Sequence, residues 1–107
     1  MDTSRSPDLN QLRQNAEAAE QLLKNLANAN RLLILCHLVE GECGVGELEA
    51  VVGLSQSALS QHLARLREQG LVSTRREGTN IYYSLAEPKV HAVLETLYRL
   101  YCAPSQD

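Results

Sequence analysis

Thiols and imidazoles are the first groups in this 107-residue sequence able to do chemistry: Cys36, Cys43 and Cys102, and His37, His62 and His91. A thiolate is a nucleophile, an oxidisable centre and a soft metal ligand; imidazole binds metals or moves protons. An odd cysteine count in a short chain without a visible secretory signal argues against a disulfide scaffold. It favours a reactive or metal-binding thiol pair. Cys36 lies in LLILCHL, where cysteine is often plain core, and Cys102 follows Tyr101 at the end of an apolar stretch. For both, the residues alone leave packing and reactivity open. Cys43, in the connector Glu42-Cys43-Gly44, reads as incidental, and His37 and His62 read as core or capping histidines. Enzyme logic is missing: there is no Gly-rich phosphate loop and no Ser-His-Asp pattern. Ser60 and His62, two apart on one helix, point about 200° away from each other and cannot act as nucleophile and base.

A second group of side chains is suited to recognition. Gln56, Ser57, Ser60 and Gln61 fall opposite Leu59, Leu63 and Leu66 on a helical wheel. Gln can hold adenine through paired hydrogen bonds, and Ser can bond a base edge or a phosphate. Arg65 on the same segment, with Arg75 and Arg76 further on, offers charge for the backbone of a duplex. Asn80 lies beside them. A solvated Ser/Gln surface would look the same if the segment stood alone, so the neighbouring elements decide the reading.

Those elements form a helix-turn-helix over residues 45–70. Val45, Leu48, Val51 and Val52 make one short apolar face, Gly53 suits a left-handed helix end, and Ser55 suits an N-cap. Residues 71–85 then alternate as two strands, Leu71 to Arg76 and Asn80 to Leu85, about a turn at Glu77-Gly78-Thr79-Asn80. A hairpin directly after a recognition helix is a wing, and its basic tip favours DNA over a purely structural role. Upstream, Leu9 to about Asn25 reads as a first helix. Asn30 is a candidate cap for a second, Arg31 to about Glu40, apolar nearly all round. Glu87-Pro88 opens a last helix running to about Cys102. The first helix (Leu12, Ala16, Ala19, Leu22, Leu23, Leu26) and the last (Val90, Val93, Leu94, Leu97, Leu100, Tyr101) carry more apolar surface than one small domain can bury. Residues 9–26 and 87–102 are therefore expected to form a two-fold dimer interface. Residues 1–8 are expected to be loose.

SQSALSQHLARLREQGLV followed by a wing ending in Tyr-Tyr-Ser-Leu resembles the ArsR/SmtB family of small bacterial repressors, from about Ala18 to Cys102. LLILCHL with Cys36, VGELEAVVGLSQSALSQHLARLR, and LYRLYCA with Cys102 look most like the branch that senses reactive sulfur or oxidants through two cysteines. That branch includes biofilm-growth repressors and haemolysin-gene regulators. The resemblance implies that Cys36 and Cys102 form a sensing pair, with reactive sulfur species or an oxidant as inducer and an inverted-repeat operator as the DNA partner. It also implies where a metal would bind in other branches. Arsenic-type members carry Cys-x-Cys where this chain has Gly44-Val45-Gly46. Zinc-type members pair acids and histidines along the last helix, where this chain has His91 and then Tyr98 and Arg99. Neither set is present, so no metal and no cofactor is expected. The competing readings are a metal-responsive member, or a regulator with no sensing site of its own.

The expectation is thus a mainly α, single-domain winged helix-turn-helix over residues 1–107, with about five helices and one β-hairpin, acting as a homodimer. Net charge is −3, yet residues 54–81 hold four arginines against two glutamates, a local basic patch in an acidic chain. No run approaches the length of a membrane span, and the chain reads as cytoplasmic.

Overall fold

A computed structural model describes residues 8–101. Chain order is α1 (Leu9–Leu26), α2 (Ala29–Leu38), β1 (Cys43–Gly44), α3 (Val45–Val52), α4 (Gln56–Glu68), β2 (Val72–Glu77), β3 (Asn80–Leu85) and α5 (Pro88–Tyr101). Of the N-terminal segment expected to be loose, only Asp8 is among the described residues. Its carboxylate caps α1 by accepting from the Gln11 N–H at 2.7 Å. No helix among the described residues is long and apolar enough to cross a membrane.

Local chemistry sets the boundaries. Asn28, rather than Asn30, caps α2: its backbone is extended, and its side chain accepts from the Arg31 N–H at 3.0 Å. Arg31 in turn donates to the Asn25 carbonyl at 2.8 Å, closing the end of α1. Gly53 takes the left-handed conformation expected of it, φ 74°, and ends α3. Ser55 caps α4 by accepting from the Ala58 N–H at 3.1 Å. At the far end Gly70 is also left-handed, φ 75°. There Leu71 donates to the Leu66 carbonyl and Gly70 to that of Arg67, each at 3.0 Å. This pair of bonds turns the chain sharply from α4 into the wing.

The sheet has one strand more than the hairpin expected. β1 joins it on the outer edge of β3, giving the order β1-β3-β2, all antiparallel. Cys43 pairs with Tyr83 and Gly44 with Tyr82. Two residues are too short a strand to read by alternation; the bonding partner, not the sequence of β1, makes it a strand.

Ile34, Leu35 and Leu38 of α2, Leu48 of α3, Leu59, Leu63 and Leu66 of α4, Leu71 and Val72 of the wing, and Val90 and Leu94 of α5 form one core. Each fully buried leucine contributes about 1.5–3 kcal/mol. α1 joins this core only at its end, through Leu26 and half-buried Leu22; residues 9–21 are exposed. Val90 and Leu94 serve the protomer's own core, which removes them from the interface expected for the last helix. Leu97 is half-buried, while Tyr98, Leu100 and Tyr101 stay exposed.

Candidate DNA interface and thiol site

On α4, Leu59, Leu63 and Leu66 are buried, and Gln56, Ser57, Ser60, Gln61 and Arg65 are all exposed. Helical spacing puts Ser57 and Gln61 near the centre of the outward arc, with Ser60 and Ala64 between them and the wing. Gln56, Ser60, Ala64 and Arg67 line a groove whose opposite wall is Val45, Ile81 and Tyr83. The first N–H groups of α4 have no partner within the helix and point out at its N-terminal end, as a phosphate requires. Arg67 was not among the residues expected to touch DNA. Its spacing from Gln56 and Ser60 along one edge of the helix was the available signal.

The wing separates the two arginines expected to meet phosphate. Residues directly opposite in an antiparallel pair share a face. Arg76 pairs with Ile81, on the face that also carries Tyr83 and looks towards α4. Arg75 pairs with Tyr82, on the other face. There its guanidinium donates Nε and one terminal nitrogen to the Glu42 carboxylate at 2.9 and 2.8 Å, with a further contact to Glu77 at 3.3 Å. It also stacks over the Tyr82 ring, 4.7 Å from the centroid. Hydrogen bonding from Arg75 holds the Glu42 carboxyl below its usual value. Gly44 leaves room for this stack, since a Cβ there would meet Tyr82 at 3.4 Å. Of the seven residues named for DNA contact, Arg75 is the one already engaged by an acidic partner. Asn80, at the turn, is exposed.

Cys36 is half-buried on α2 and lines a cleft of about 240 Å³ with Val39, Glu40, and Glu95, Tyr98 and Arg99 of α5. The other member of the expected pair, Cys102, lies outside the described residues. Cys43 is buried, and burial, then the neighbouring carboxylates led by Glu47, push its thiol pKa up. His91 stands one turn from Glu95, 3.7 Å away. His37 contacts Glu47 at 3.2 Å, and their donor atoms lie within 4.8 Å of each other and of the Cys43 sulfur. This trio is at neither position weighed from the sequence, because its members sit on three different elements.

A buried leucine stripe, a polar outward arc and an adjoining basic wing define a winged helix-turn-helix module built to lie on duplex DNA. Residues 28–74 match the bacterial regulatory protein, arsR family. The chain is 50% identical over 99 residues to the transcriptional activator HlyU of Vibrio cholerae serotype O1, covering 92% of each. It is also 50% identical over 86 residues to the biofilm growth-associated repressor of Agrobacterium fabrum, covering 80% of this chain and 74% of that one. The solved structure of reduced HlyU from Vibrio cholerae N16961 superposes with a TM-score of 0.85 at 50% identity, over 89% of this chain and all of that one. The chain belongs to the arsR family of DNA-binding transcriptional regulators and is not an enzyme.

Proposed function

We propose that this regulator is a homodimeric repressor whose grip on an inverted-repeat operator is set by the oxidation or persulfidation state of Cys36 and Cys102. One observation carries the reading: Cys36 faces the C-terminal half of α5, in a cleft shared with Tyr98 and Arg99, three and four residues short of Cys102 in sequence. A relative crystallised in a state described as reduced supports redox as the relevant variable. Relatives are named both activator and repressor; a repressor that displaces another repressor gives the first outcome with the same chemistry.

Reduced dimers place two α4 helices in successive major grooves, about 34 Å apart. Gln56, Ser57, Ser60 and Gln61 meet bases, while Arg65, Arg75, Arg76 and Arg67 meet phosphate, Arg75 after exchanging Glu42 for the DNA. A two-electron oxidant such as peroxide takes two electrons and two protons from the thiols, leaves as water, and joins them as a disulfide. A persulfide instead supplies extra sulfur, giving a longer bridge. Either link ties α2 to the segment following α5. Because α5 also carries interface surface, tension on it changes the spacing of the two reading helices. The coupling is reciprocal, so bound operator must slow bridge formation. The test is mass spectrometry of the persulfide-treated protein. A single intrachain crosslink between the Cys36 and Cys102 peptides supports the reading, and crosslinks involving only Cys43 or only two protomers oppose it.

A further inference from the structure

The trio of His37, Cys43 and Glu47 takes no part in the DNA face or in the thiol pair. His37 lies in the last turn of α2, Cys43 in β1 and Glu47 in the first turn of α3. Their ligating atoms, one nitrogen, one sulfur and one oxygen, all lie within 4.8 Å of one another. We propose that these three side chains bind one borderline divalent cation, Zn²⁺ by preference, in a site that is separate from Cys36 and Cys102.

The geometry is close to what such an ion needs. Bonds of about 2.0–2.3 Å in a tetrahedron put neighbouring ligands about 3.4–3.8 Å apart. His37 Nε2 and Glu47 Oε2 are already 3.2 Å apart, and the remaining closure is within reach of side-chain rotation. The sulfur is held by the fold: Cys43 is buried, its backbone is paired to Tyr83, and its only listed-strength polar neighbour is the Gly41 carbonyl at a long 3.7 Å. Opposite it the site opens outward, with the His37 side chain 27% exposed and that of Glu47 57% exposed. An ion therefore has an approach path and a fourth position for water. The mixed N, S, O set selects against Mg²⁺ and Ca²⁺, which want oxygen alone, and one thiolate is too few for a strictly thiophilic ion. Binding forms a metal–sulfur bond and releases the Cys43 proton to solvent. Glu47 and His37 exchange their mutual contact for the ion. The site would fasten α2, β1 and α3 together at the base of the helix-turn-helix. Because ions bind the folded state, occupancy raises the melting temperature.

Cobalt reports the site directly. Reduced, chelator-stripped full-length protein is titrated with Co²⁺ under anaerobic conditions, and absorbance is followed. The expected result is an intense near-ultraviolet thiolate-to-cobalt band with tetrahedral visible bands, saturating at one ion per protomer and erased by Zn²⁺. The Cys36→Ser/Cys102→Ser double variant should keep both features. Cys43→Ser should lose the charge-transfer band, and His37→Gln and Glu47→Gln should each weaken Co²⁺ binding at least tenfold. Absence of the band in wild-type protein overturns the proposal. So does a band that survives Cys43→Ser and disappears in the double variant, which would move the ligands to the sensing pair.

Discussion

Single side chains divide the labour at the DNA surface. Gln61 stands at the middle of the outward arc of α4, where a base edge has to be, and hydrogen bonds nothing in the protomer that would need to be broken. Gln61→Ala should lower discrimination between operator and random duplex by about 1–3 kcal/mol, measured by competition binding. The arginines of the wing differ. Arg76 shares a face with Ile81 and is the one turned to the groove, whereas Arg75 is held by Glu42 and Tyr82. Arg76→Ala should therefore weaken binding to every sequence and flatten its salt dependence more than Arg75→Ala does; salt titrations of both variants rank them, and the reverse order would place the DNA on the other face of the wing. Among the thiols, Cys43 combines burial with a raised pKa. Alkylation of the metal-free native protein near pH 8 should leave Cys43 largely unmodified after Cys36 has reacted, as peptide mass mapping will show.

Elements carry the next tier of the account. The bond from Arg75 to Glu42 joins β2 to the segment just before β1, across β3, and so braces the wing against its base. Glu42 titrates below its ordinary value, so its contribution is present above the usual carboxylate range and disappears as pH falls through the depressed one. In thermal melts, wild-type protein should exceed Glu42→Gln in stability above about pH 5, and the two should converge below about pH 3. Helix-turn-helix, caps and wing were all legible in the sequence, because Gly53, Ser55, Gly70 and the leucine stripe of α4 encode them locally. Three things were not. β1 is made a strand by Tyr82 and Tyr83, far along the chain. The face on which Arg75 lies depends on register with β3, which adjacent arginines in an exposed tip do not announce. The His37, Cys43 and Glu47 cluster exists only once α2, β1 and α3 have folded together. The thiol pair has a different status: Cys36 alone reads equally as core, and its assignment came from resemblance.

At the scale of the whole molecule, the protomer is poorly self-contained. Its radius of gyration is 16.6 Å, against about 13 Å for a compact chain of this length. The excess comes largely from α1, whose Leu9, Leu12 and Leu23 are exposed, as are Leu100 and Tyr101 at the end of α5. Two copies covering these surfaces would supply the two reading helices an inverted repeat demands. Leu12→Glu or Leu100→Glu, neither of which touches the protomer core, should yield a folded monomer in sedimentation and weaken operator binding at least tenfold. The same interface gives the thiol switch its leverage, since α5 both faces Cys36 and ends among the exposed residues. The most direct test is fluorescence anisotropy on an operator selected from random duplexes by the reduced protein, before and after persulfide treatment. Wild-type protein should lose at least tenfold in affinity and regain it with reductant, and Cys36→Ser should bind as reduced wild type in both conditions. If Cys36→Ser loses affinity on treatment as fully as wild type does, the thiol switch is contradicted.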